Sequence, residues 1–97
     1  MKFEWDKQKN KANFEKHGLD FADAHKVFET PMLVKIDDRE DYGEDRWIAI
    51  GLMDMRVVVM VFTEPKENTI RIISFRKATT DECRRYEQAY KDELGTF

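Results

Sequence analysis

The run "RVVVMVF", Arg56 to Phe62, constrains the fold of this chain more than any other stretch. Val57 to Phe62 is apolar at every position, and its β-branched residues fit a pleated strand better than a helix. A strand with one wet face alternates in polarity. This one does not, which predicts a central strand covered on both faces. Its neighbours "MLVKI", "RWIAIGLM" and "TIRIISFRK" also read as strands, separated by an acidic turn around Gly43, a "DM" turn and a "PKEN" turn. Connections this short predict an antiparallel meander.

Helices are expected at both ends. "KFEW" alternates as a short strand, after which Asp6 is suited to an N-cap and Gly18 to a left-handed stop, predicting a helix over residues 7 to 17. A second helix is expected from Asp20 to just before Pro31, with Phe21, Ala24, Val27 and Phe28 as its apolar stripe. Thr79 or Thr80 caps a last helix running to about Leu94, and Glu82 completes a capping box with Thr79. The layout is α+β: a short N-terminal strand, two helices, an antiparallel meander sheet and a C-terminal helix. In so small a protein, the last helix or a partner must shield the second face of the central strand.

With 97 residues the chain fits a single domain, 1–97, and 41% hydrophobic with 38% charged residues is an ordinary soluble balance. No apolar run approaches the ~18 residues of a membrane span, and the charged start "MKFEWDKQKN" does not read as a secretory signal. The lone Cys83 agrees with a reducing compartment, so the expectation is a cytoplasmic protein without membrane contact. The net charge of −3 hides a division. "DDREDYGED" carries six acids against one Arg and reads as a solubilising turn, whereas Arg71, Arg76, Lys77, Arg84 and Arg85 crowd the C-terminal third.

Three groups of residues could carry chemistry. On the first helix Asp6, Lys9, Asn10, Asn13 and His17 share one side. That row is either a solvated face, a set of amides holding neighbouring strands or loops, or a surface orienting RNA or a protein. His17, in the last helical turn, is a capping residue, a proton carrier or a metal ligand, and the helix C-terminus is expected to raise its pKa. No HxxxH, CxxC or HxE pattern accompanies His17 or His25, so neither a metal nor a cofactor is expected. In "TIRIISFRKAT", alternation puts Ile70, Ile72, Ser74 and Arg76 on one face and Arg71, Ile73, Phe75 and Lys77 on the other. These cations either sit in solvent, pair with Glu64 and Asp81, or hold phosphate, which the guanidinium fork matches. A nucleophile elbow, a Walker loop and a dinucleotide fingerprint are all missing from the sequence.

"FEWDKQKNKANFEKHGLDFADA", "DDREDYGEDRWIAIG" and "RIISFRKAT" followed by "RRYE" together resemble the BrnT family of toxins from bacterial type II toxin–antitoxin modules, from Phe3 to about Tyr90. The resemblance implies a RelE-like α+β ribonuclease toxin that cleaves RNA without a metal, inhibits translation and growth, and is neutralised by a BrnA-type ribbon-helix-helix antitoxin. DNA would be contacted only through the antitoxin complex. For such a reaction Arg71 and Arg76 are the candidates for stabilising the phosphorane, with His17 and then Tyr86 for proton transfer. Lys9, Arg46, Arg56 and Lys77 are the candidates for gripping the RNA backbone. Arg71 and Arg76 could share a site only if their strand twists or bulges. The alternative is a non-catalytic binding module in an obligate antitoxin complex, which the negative net charge favours.

Overall fold

The computed structural model describes residues 1–94, with side chains through Lys91. Five strands, β1 (Lys2–Glu4), β2 (Leu33–Ile36), β3 (Trp47–Met53), β4 (Arg56–Lys66) and β5 (Thr69–Lys77), form one sheet in the order β1-β5-β4-β3-β2. The apolar run lies in β4, at the centre. The β2–β5 part is the expected antiparallel meander, but β1 joins it parallel to β5, with Phe3 beside Ile70. Parallel pairing follows from the helical excursion between the N-terminus and the meander, since only a long connection can return a strand in that direction.

Two helices, α1 (Lys7–His17) and α2 (Thr80–Leu94), and a 3₁₀ helix over Phe21–Glu29 complete the fold. Asp6 accepts the Lys9 backbone N–H at 2.9 Å, and Gly18, at φ 70°, donates to the Phe14 carbonyl. Both ends of α1 are therefore as expected. The second helix is 3₁₀, and its buried residues are Phe21, Ala24 and Val27. They recur every third position, the period of a 3₁₀ helix, whose i and i+3 side chains eclipse. Gly51 lets this helix approach β3 closely: a Cβ there would lie 2.6 Å from a Val27 methyl.

The 3₁₀ helix covers the first face of the sheet, over Ala49, Met53, Val58, Met60, Phe62, Ile70, Ile72 and Phe75. On the second face α2 brings Tyr86 down onto Ile50 and Val59. The last helix is thus the shield for the second face, and it covers only part of it. Among the described residues no helix is long and apolar enough to cross a membrane.

A bulge in β5 changes the predicted alternation. Val61 opposes Ser74 but Phe62 opposes Ile72, leaving Ile73 as an extra residue. Beyond it every side chain switches faces. Phe75 joins Ile70 and Ile72 in the first-face core, while Arg71, Ser74 and Arg76 all pair with second-face residues of β4.

Candidate active site at the end of β5

The row of amides on α1 is structural. Asn13 is buried, donates to the Phe75 carbonyl at 2.8 Å and the Leu19 carbonyl at 3.2 Å, and accepts the Phe75 N–H at 3.1 Å. A side-chain amide thereby imitates a neighbouring strand at the edge of β5, beyond the end of β1. Asn10 does similar service for the 3₁₀ helix, donating to the Asp20 carboxylate and accepting the Phe21 N–H. Holding α1 on this edge directs its last turn, with His17, toward the C-terminal end of β5.

Arg76 is fixed from the opposite side. Its two terminal nitrogens bind the two Glu82 oxygens at 2.8 and 2.9 Å, a bidentate fork, and the same carboxylate accepts the Thr79 N–H at 2.8 Å. Thr79 in turn accepts the Glu82 N–H at 3.2 Å, so the capping box forms. The start of α2 thus orients Arg76, a role for Glu82 beyond capping. With a side chain 35% exposed, Arg76 still has a solvent-facing side.

His17 carries a pKa below 6.5, the reverse of the expected helix-end effect. Partial burial is the main cause, followed by the positive charges of Lys16 and Arg76. The imidazole is consequently neutral near pH 7, the form that accepts a proton. Glu82 is held down to about 2, first by its hydrogen bonds from Arg76, against a partial desolvation cost. Its folded pKa lies below the unfolded carboxyl value, so its stabilisation is present above about pH 4.5 and lost as pH falls toward 2. The stability gap between wild type and Glu82→Gln, followed by urea unfolding, is expected to be constant from pH 7 to 5 and to close below pH 4. A gap unchanged down to pH 2 would show that the ion pair does not hold the start of α2.

The other candidates are spread out. Arg71 shares the face of Arg76 through the bulge, yet five residues of strand separate them by roughly 15 Å. It pairs with Glu4 at 2.7 Å. Both arginines are therefore paired, with partners other than Glu64 and Asp81. Lys77 and Arg56 are exposed at the same sheet end as Arg76, opposite Val58 and Met53. Lys9 is exposed near the start of α1. Arg46, just before β3, stacks on Tyr42 with 3.9 Å from guanidinium carbon to ring centroid, and its Nε is buried without a hydrogen-bond partner. Tyr86, on α2, is buried against Ile50 and Val59 and donates its hydroxyl to the Pro31 carbonyl at 2.7 Å, which engages its oxygen in the core. Among the described residues no group of three or more His, Cys, Asp or Glu side chains gathers as a metal site.

A five-stranded mixed sheet flanked by two α-helices and a 3₁₀ helix fits the ribonuclease toxins of type II toxin–antitoxin systems. The chain belongs to the BrnT family: the family model described as "Ribonuclease toxin, BrnT, of type II toxin-antitoxin system" matches residues 5–82. The crystal structure of the Brucella abortus ribonuclease toxin BrnT is similar at 32% identity and a TM-score of 0.65, covering 82% of this chain and 99% of that one. No curated protein sequence matches at a significant level.

Proposed function

We propose that this protein is a metal-independent endoribonuclease whose site lies at the C-terminal end of β5. The observation that carries this reading is the bidentate hold of Glu82 on Arg76, next to Phe75, onto which Asn13 docks the helix whose last turn carries His17. His17 accepts the proton of a ribose 2′-hydroxyl as its oxygen attacks the adjacent phosphorus. Arg76 stabilises the charge that develops on the phosphoryl oxygens, and Glu82 keeps the guanidinium in place before the substrate arrives. The 5′-oxygen departs with a proton from water, because the Tyr86 hydroxyl is committed to the Pro31 carbonyl. Arg71, on the same face but remote from His17, grips the RNA backbone together with Lys77, Arg56, Arg46 and Lys9.

Cleavage of cellular RNA by this route inhibits translation and growth, and a BrnA-type ribbon-helix-helix antitoxin neutralises it in the cytoplasm. DNA is reached only through that complex. Product ends test the chemistry: fragments ending in 2′,3′-cyclic phosphate and 5′-hydroxyl are expected. Fragments with 5′-phosphate ends would point to an activated water as nucleophile and remove His17 from its role.

A further inference from the structure

We propose that the open edge of β2 receives an extended, acid-bearing segment of a protein partner, which adds to the sheet as a further strand. The partner is the antitoxin, so the inference rests on the antitoxin part of the reading above. It names the surface and the chemistry of that contact.

The two sides of the sheet end differently. On one side β1 covers part of β5, and beyond it Asn13 satisfies the Phe75 N–H and carbonyl. On the other, β2 pairs with β3 alone. The ladder determines which groups are left over. Asp37 donates its N–H to the Arg46 carbonyl, which makes these two a hydrogen-bonded pair, and such pairs alternate along an antiparallel ladder. Leu33 and Lys35 therefore bond inward to β3, while the N–H and carbonyl groups of Val34 and Ile36 point away from the sheet. An unpaired row of this kind is a template for another strand. The apolar side chains of the same two residues are also left in water, 48% and 46% exposed.

The second observation concerns charge. Leu33 and Lys35 stand opposite Ile50 and Ile48, and with Arg85 of α2 they line a cavity of about 150 Å³ at this edge. Its walls are mainly apolar, and neither of its cations, Lys35 and Arg85, has an ion-pair partner among the described residues. An added strand alternates its side chains between the two faces. A Glu or Asp on the cavity side brings its carboxylate to Lys35 and Arg85, while apolar residues before and after it lie on the face of Val34 and Ile36. A second copy of this chain matches the edge poorly. Its own β2 offers a lysine and no acid, and the acid that follows, Asp37, has a 0% exposed side chain that holds Arg39 with both oxygens. A third cation would then meet the two already there.

The test measures binding of the full chain to the ribbon-helix-helix antitoxin of its module, with backbone-amide hydrogen exchange followed in the free protein and in the complex. The Val34 and Ile36 amides are expected to exchange rapidly in the free chain and about tenfold or more slower in the complex. Val34→Pro removes an outward N–H and leaves the β2–β3 ladder intact, so it is expected to weaken binding about tenfold with the melting temperature nearly kept. Lys35→Glu combined with Arg85→Glu is expected to weaken binding by a similar factor at low salt and by less at high salt. Antitoxin binding that leaves exchange at both amides unchanged, or that both folded variants retain in full, would overturn the docking edge alone. A wild type that does not bind the antitoxin would overturn the antitoxin reading and the edge with it. If Val34→Pro fails to fold, the charge variant and the wild-type exchange decide. Protection of the same amides in a dimer of the free chain, or by a 2′-O-methyl RNA, would give the edge to that occupant and overturn the assignment.

Discussion

His17→Ala and Arg76→Ala are each expected to lower the RNA cleavage rate by about 10²- to 10⁴-fold, the range in which a positioned base or a pre-oriented charge acts. The two variants differ in their accompanying effects. His17 is half-buried and its side chain makes no hydrogen bond or ion pair among the described residues, so its removal should leave the melting temperature nearly unchanged. Removing Arg76 also strands Glu82 without its main partner and should cost about 1 to 2 kcal/mol, discounted for the third of the Arg76 side chain that water already reaches. Arg76→Lys keeps the charge but loses the fork, and is expected to retain more activity than the alanine variant. In wild type the rate should rise with pH through a value below 6.5, because the neutral imidazole is the active form. His17→Ala should remove that rising limb. A rate that keeps the same pH dependence without His17 would assign the base elsewhere.

The second large effect concerns stability. Asn13→Ala removes a buried amide that satisfies three backbone groups, the Phe75 N–H and the carbonyls of Phe75 and Leu19. Leaving them unpaired at the edge of β5 is expected to cost about 2 to 4 kcal/mol, or roughly 10 to 25 °C in melting temperature for a domain of this size. Asn13→Asp should not rescue it. A carboxylate can accept the Phe75 N–H, but it would face two carbonyl oxygens with no hydrogen to donate. Thermal melts of both variants check this, and a loss below 1 kcal/mol in each would mean that water replaces the amide readily. Since Asn13 also sets the position of His17, activity should fall in these variants even at temperatures where they remain folded.

Much of the architecture was legible because local signals agreed with tertiary packing. Asp6, Gly18 and the Thr79–Glu82 box mark helix ends by hydrogen bonds confined to neighbouring residues. The apolar run in β4 required a central position. Period alone was insufficient in two places. Phe21, Ala24 and Val27 fit both a 3.6- and a 3.0-residue turn over so short a stretch, and the tighter helix is the one observed. The Ile73 bulge leaves no mark in "TIRIISF", yet it decides which face Arg76 occupies. The extra residue places Phe75 in the core and moves Arg71 and Arg76 onto a common face, the condition that simple alternation failed to meet.

The candidate site was legible as residue types and less so as partnerships. The polarity of Asn10 and Asn13 inside a helix was a usable signal, and both turn out to hold neighbouring backbone. Glu82 was visible as a cap, but its second partner lies six residues earlier on another element. The lowered His17 pKa depends on burial and on Arg76, neither of which a helix-end argument contains.

The most direct test of the central claim is cleavage of a labelled RNA by purified, antitoxin-free protein in excess EDTA, with His17→Ala and Arg76→Ala measured alongside. The account predicts undiminished cleavage by wild type in the chelator and its loss in both folded variants. Cleavage abolished by EDTA, or retained in both variants, would contradict a metal-independent site at the end of β5.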